Sequence, residues 1–184
     1  MNRPASGPLY IVTERFTPSR GEEWTRYVAW SGLRQLSEVV SLDAMLCPPA
    51  VKEIVAEDWP HVLNEDFMLS YFHDLEYLVR RAGDLRDRNL LCLFRDPEAE
   101  TIAPSGAFQF AFEGYDLVDI RGGVSALTNC GGFPGAFSST ELSEHGLLRT
   151  LARANEVRGA LAERYAGHGH ELCHVWAVHR ADPI

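Results

Sequence analysis

Lysine is almost missing from this chain: of 17 basic residues only Lys52 is not arginine. We read that bias as the codon usage of a GC-rich, bacterial genome rather than as function. Basic charge as a whole is also short, and the net charge of -9 argues against a nucleic-acid partner, which calls for a basic stripe. An acidic surface of this kind favours a basic protein partner instead.

Long apolar runs are absent too. The first twenty residues hold only the short run PLYIV, too little for a secretory signal, and nothing approaches the ~18 apolar residues of a membrane span. No membrane partner is therefore expected. The cysteines Cys47, Cys92, Cys130 and Cys173 form no CxxC pair, which fits reduced thiols and a cytoplasmic location better than a disulfide framework. Phosphate-binding glycine loops, nucleophile elbows and HExxH helices are lacking as well, so no cofactor is expected and the common enzyme classes lose ground. Oligomeric state leaves no mark in the sequence.

What is present is an ordinary globular composition, 46% apolar and 23% charged, over 184 residues, enough for one domain with its own core. Residues 1–24 read as an N-terminal extension with a strand-like patch at Leu9 to Val12, and residues 25–184 as a single domain. "RYVAW" and "SEVVSLD" read as short strands around Ser31-Gly32, and Pro48-Pro49 as the first turn of a helix through "AVKEIVAED". Met68, Phe72, Leu75, Val79 and Ala82 follow helical spacing up to a cap at Gly83, although Phe67, Leu69 and Tyr71 alternate as an extended arm would. "NLLCLF" reads as a strand buried on both faces, Phe108, Phe110 and Phe112 as a half-buried one, and "YDLVD" and "VSALT" as a hairpin about Arg121-Gly122-Gly123. Ser138 and Glu141 match a capping box, Leu147 to Tyr165 carry an apolar helical stripe, and "LCHVWAVH" makes a closing strand. The fold class expected is α+β: a mixed, mainly antiparallel sheet of about six to seven strands with two to three helices packed on one face.

Two segments invite chemistry. In "SALTNCGGFPGAF", glycines beside Cys130 would let backbone N–H groups approach a developing oxyanion, and His170 or His174 downstream could serve as base. The stretch resembles cysteine peptidases of the NlpC kind, in which an Asp-Cys-Ser-Gly motif opens a helix and a later strand carries the histidine. The resemblance implies Cys130 as nucleophile and His174 as base, with Asn129 standing where that motif has its acid. The plainer reading is a chain reversal anchored by Phe133 and Phe137, and a third is a ligand-binding loop of Asn129, Gly131, Gly132, Phe133 and Phe137. In "HGHELCH", His168, His170, Cys173 and His174 are permissible zinc ligands, but strand alternation separates Cys173 from His174, so no metal site is assigned. The carboxylates Asp74, Glu76, Glu113, Asp116 and Asp119 read as solvated, as do Arg80-Arg81 and the pair Arg86 and Arg88. The leading expectation is a non-enzymatic, acidic interaction module, and the alternative is a hydrolase or transferase using Cys130.

Overall fold

A computed structural model describes residues 7–63, 69–120 and 123–181. Among them are six strands: β1 (Leu9–Glu14), β2 (Val62–Leu63), β3 (Tyr71–Phe72), β4 (Arg88–Arg95), β5 (Phe110–Asp119) and β6 (Cys173–Ala181). They form one antiparallel sheet in the order β2-β3-β1-β4-β6-β5. The α-helices are α1 (Glu22–Ser31), α2 (Leu75–Ala82) and α3 (Leu151–Arg164), so the α+β expectation holds.

The sheet has two differently covered faces. On one, Tyr10, Val12, Leu90 and Cys92 pack on Leu78 of α2, while Tyr115, Leu117, Val175 and Ala177 pack on Ala154, Val157 and Leu161 of α3. That 3-and-4 spacing is the apolar stripe read from the sequence, and each large side chain so buried contributes about 1.5–3 kcal/mol. On the other face Ile11, Leu91, Leu93, Trp176 and Val178 meet Val40, Leu42, Ala44 and Leu147, which lie in irregular segments. Leu90 to Leu93 are all buried because β4 is central and covered on both sides.

Several local expectations change. The patch at Leu9 to Val12 is β1, paired along its whole length with β4, so the sheet already includes residues before Trp24. "RYVAW" is helical: Trp24, Tyr27 and Val28 share a face against the core, Glu22 reaches Arg26 one turn on, and Gly32 closes α1 in the left-handed region at φ 72. "SEVVSLD" is buried but irregular, because Val39 enters one core and Val40 and Leu42 the other. Pro48 to Ala50 bond to β1 instead of starting a helix, and a 3-10 turn follows at Ala56–His61.

In the next segment Phe72 belongs to β3, and the helix starts at Leu75 with Asp74 as N-cap, because the Asp74 carboxylate accepts from Tyr77 N–H at 3.0 Å. Gly83 ends α2 as expected; Phe67 and Met68 lie outside the described residues. Phe108 precedes β5, and the second hairpin arm shrinks to a single bridge between Val118 and Ser125, with Arg121 and Gly122 outside the described residues. Ser138 and Glu141 do form a reciprocal cap, but over one 3-10 turn only. Gly146, at φ 82, turns the chain, and α3 starts afresh from the N-cap Thr150.

Candidate functional site

The loop from Ser125 to Phe137 is fixed from below by two carboxylates. Asp116 projects from β5 on the face opposite α3, and its Oδ1 accepts from Ser125 Oγ at 2.6 Å and Leu117 N at 2.8 Å. Its Oδ2 accepts from Ser41 Oγ at 2.6 Å and Leu42 N at 2.9 Å. Burial pushes the Asp116 carboxyl up, while these donors oppose that shift. Asp43 accepts from Ser125 N at 2.9 Å through one oxygen and from Asn129 Nδ2 at 3.2 Å through the other. Both residues are fully buried, so Asp116 is not the solvated strand residue that its sequence context suggested.

This scaffold presents Cys130. Its Sγ lies 2.7 Å from His170 Nε2 and 3.4 Å from the Ser125 carbonyl oxygen. Cys130 is half-buried whereas Cys47, Cys92 and Cys173 are buried, and all four are free thiols. His170 sits behind the sulfur in a wall made by the Phe133 ring, at a centroid distance of 5.5 Å and edge-on, and its carbonyl accepts from Cys173 Sγ at 3.2 Å. The loop's apolar flanks are exposed: Trp30 lies alongside Gly131, and Met45 Sδ is 3.8 Å from Asn129 Nδ2.

Electrostatics set the resting state. Burial, with the charges of Asp43, Asp119 and Asp116, pushes the Cys130 thiol up to about 12. Burial lowers His170 below its ordinary value, against Asp119 and Asp43, which favour its charged form. The resting pair is therefore a neutral thiol and a neutral imidazole. If Nε2 accepts the thiol proton, the ring hydrogen resides on Nδ1, which is buried and has no hydrogen-bond partner among the described residues. An unmet donor of this sort costs about 1–3 kcal/mol. Such a pair can move the S–H proton to Nε2 as sulfur attacks an electrophile, and Asp43 and Asp119 then favour the imidazolium.

His174 is not part of this pair. Its Nδ1 lies 2.5 Å from Asp96 Oδ2, while Asp96 Oδ1 is 2.7 Å from Arg158 Nη1. The reason is register: Cys173 and His174 are successive residues of β6 and leave opposite faces. The resemblance to NlpC-type peptidases fails for the same reason, and also because Cys130 lies in a loop and not at a helix start. Of the possible zinc ligands, Cys173 is turned into the core and His174 is held by Asp96, while the His168 ring meets Tyr165 at 5.8 Å. They do not converge, and no cluster of three ligating side chains occurs among the described residues.

Within the suggested ligand-binding loop the residues divide. Gly131, Gly132 and Phe137 line a small cavity of about 200 Å³ with Ser31, Leu33 and Thr128, whereas Phe133 turns into the core and Asn129 braces Asp43. Gly131 and Gly132 hold φ 67 and 95, conformations that only glycine adopts without strain. Asp43 drew no expectation from the sequence and Asp116 only that of a solvated carboxylate; the available signals were a Ser-x-Asp turn at Ser41 and an aspartate inside the apolar run Tyr115 to Val118 of β5. No known protein family matches the chain, and no curated protein or solved structure is similar to it.

Proposed function

We propose that the chain is a cysteine-dependent acyl-transfer enzyme, a hydrolase or transferase, with Cys130 as nucleophile and His170, not His174, as base. The observation that carries this reading is the 2.7 Å separation of Cys130 Sγ from His170 Nε2 in the most exposed of the four thiols' settings. In the reaction, Sγ attacks an acyl carbon as its proton passes to Nε2. Collapse of the tetrahedral species expels the leaving group, which takes that proton, and leaves a thioester on Cys130. Water or an amine, deprotonated by Nε2, then attacks the thioester and releases the thiol. Trp30 and Met45 favour an acyl group with an apolar portion.

Pre-steady-state hydrolysis of p-nitrophenyl acetate tests this. We expect a burst of nitrophenol that Cys130→Ala abolishes and His170→Gln slows at least ~100-fold, on the scale of general-base catalysis. A burst equal in wild type and Cys130→Ala would overturn the reading.

A second reading remains a non-enzymatic module that recruits a basic protein partner. It is supported by the net charge of -9 and by the exposed Trp30 and Met45, and a partner bound in a salt-dependent way with no effect of Cys130→Ala would favour it. No helix among the described residues is long and apolar enough to cross a membrane. A cytoplasmic setting belongs to both proposals and is supported by four free cysteines.

A further inference from the structure

A cleft of about 850 Å³ opens where β1 ends and β4 begins, and Cys130 is not among the residues that line it. Four arginines line it, Arg15, Arg20, Arg86 and Arg88, against the carboxylates Glu14, Glu38 and Asp87. In a chain of net charge -9, this is a local excess of guanidinium. Sequence alone made Arg86 and Arg88 solvated positions; the fold gathers them beside Arg15 and Arg20, which come from the far end of β1.

Two of the carboxylates, Glu38 and Glu14, are shared between arginines of the cleft and cations outside it. Glu38 is buried and takes both Arg15, through contacts of 2.7 and 2.6 Å, and Arg180 at 2.9 Å, with Asn89 Nδ2 adding a bond at 3.2 Å. Its charge stays compensated by Arg180 if Arg15 turns toward a ligand. Glu14 is held by Arg20 at 3.1 Å and by Lys52 at 3.7 Å. Arg86 leans on Asp84, outside the lining residues, at 2.6 Å. Arg88 gives Nη1 to the Ala82 carbonyl at 2.8 Å, which fixes its guanidinium at the end of α2. Guanidinium forks engage phosphate oxygens in pairs, and the Thr17 and Ser19 hydroxyls, 2.7 Å apart, add neutral donors on the same wall.

We infer that this cleft binds a small molecule carrying a diphosphate or triphosphate, gripped by Arg15, Arg86 and Arg88. The volume accommodates a ligand of nucleotide size, and its phosphates would meet the remaining donors of Arg88 while taking the forks of Arg15 and Arg86 from Glu38 and Asp84. This site is separate from the thiol site, and its test does not require activity.

Isothermal titration of the full chain with inorganic pyrophosphate at constant ionic strength is the direct measurement, with citrate as the carboxylate control. Saturable one-to-one binding of pyrophosphate is expected, at least tenfold tighter than citrate. Arg86→Gln, an exposed position, and Arg88→Gln should each weaken it about tenfold, with unliganded melting temperatures showing that both variants fold. Absence of saturable pyrophosphate binding, equal binding of citrate, or affinity unchanged in both variants overturns the assignment.

Discussion

Asp116→Ala removes the acceptor on which four donors converge in a fully buried site. The Ser41 and Ser125 hydroxyls and the Leu42 and Leu117 amides all lose their partner. Each stranded buried donor costs about 1–3 kcal/mol, and the release of a buried carboxylate returns part of that. Hydroxyls can also rotate to other acceptors, whereas the two amides cannot. A net loss of about 3–5 kcal/mol follows, a large fraction of the ~5–15 kcal/mol that holds a domain together. Asp116→Asn should cost less, about 1–3 kcal/mol, yet not be neutral. Whichever oxygen becomes NH2 faces a backbone N–H, since each oxygen accepts one, and two donors then oppose each other. Urea unfolding followed by circular dichroism gives both values from the midpoints at constant slope. The same variants should speed alkylation of Cys130, because Ser125 ties Asp116 to the loop and its carbonyl faces the sulfur. An Asp116→Ala protein within about 0.5 kcal/mol of wild type, with unchanged Cys130 labelling, would refute the claim that this carboxylate organises the site.

Further outcomes follow from the same geometry. Gly114→Ala should destabilise by several kcal/mol in the same urea assay, because the new Cβ would sit 2.7 Å from both Leu147 Cβ and the Leu148 carbonyl oxygen at a φ of 146. With its thiol raised to about 12, Cys130 should alkylate slowly near neutrality and about tenfold faster per pH unit up to pH 10, with no plateau, as iodoacetamide labelling read by mass spectrometry would show. Acyl transfer should behave differently, reaching half its limiting kcat/KM below pH 6.5 because the base His170 is depressed, and a half-point well above 6.5 would contradict its role. Stability should begin to fall as pH drops below 6.5: His170 and His179 have folded-state pKa values lowered by burial, so the unfolded chain takes up protons first. Glu38, Glu113 and Asp96 are lowered in the fold and add their own loss only as pH falls below about 4.5, so His179→Gln should flatten the upper part of a urea-midpoint profile and leave the lower part.

The sequence made some elements legible because their pattern was long and uniform. The closing strand, the run NLLCLF and the helix carrying Ala154, Val157 and Leu161 each repeat one period over enough residues to exclude the alternative. "RYVAW" misled because five residues are too few to separate alternation from the 3-and-4 spacing of Trp24, Tyr27 and Val28, and only packing against Phe16 decides it. "SEVVSLD" is buried from Glu38 onward yet pairs among the described residues only through an isolated bridge of Val39 with Phe16, since other amides of the segment are met by Asp116 and by the Glu144 and His145 carbonyls. The Cys130 loop stood out by composition, and both candidate histidines were visible. The choice between them was not, for it turns on which face of β6 each approaches, and His170 lies before the strand begins. The arginine cleft was hidden for a different reason: its residues lie far apart in sequence, and only the antiparallel pairing of Glu14 with Arg88 brings them together.

The most direct test of the central claim is peptide mapping by mass spectrometry of the full chain, acid-quenched within one turnover of p-nitrophenyl acetate. A thioester-linked acetyl group is expected on Cys130 in wild type, strongly reduced in His170→Gln and retained in His174→Gln. An acetyl group on another residue, or one on Cys130 that survives undiminished in His170→Gln, would contradict it.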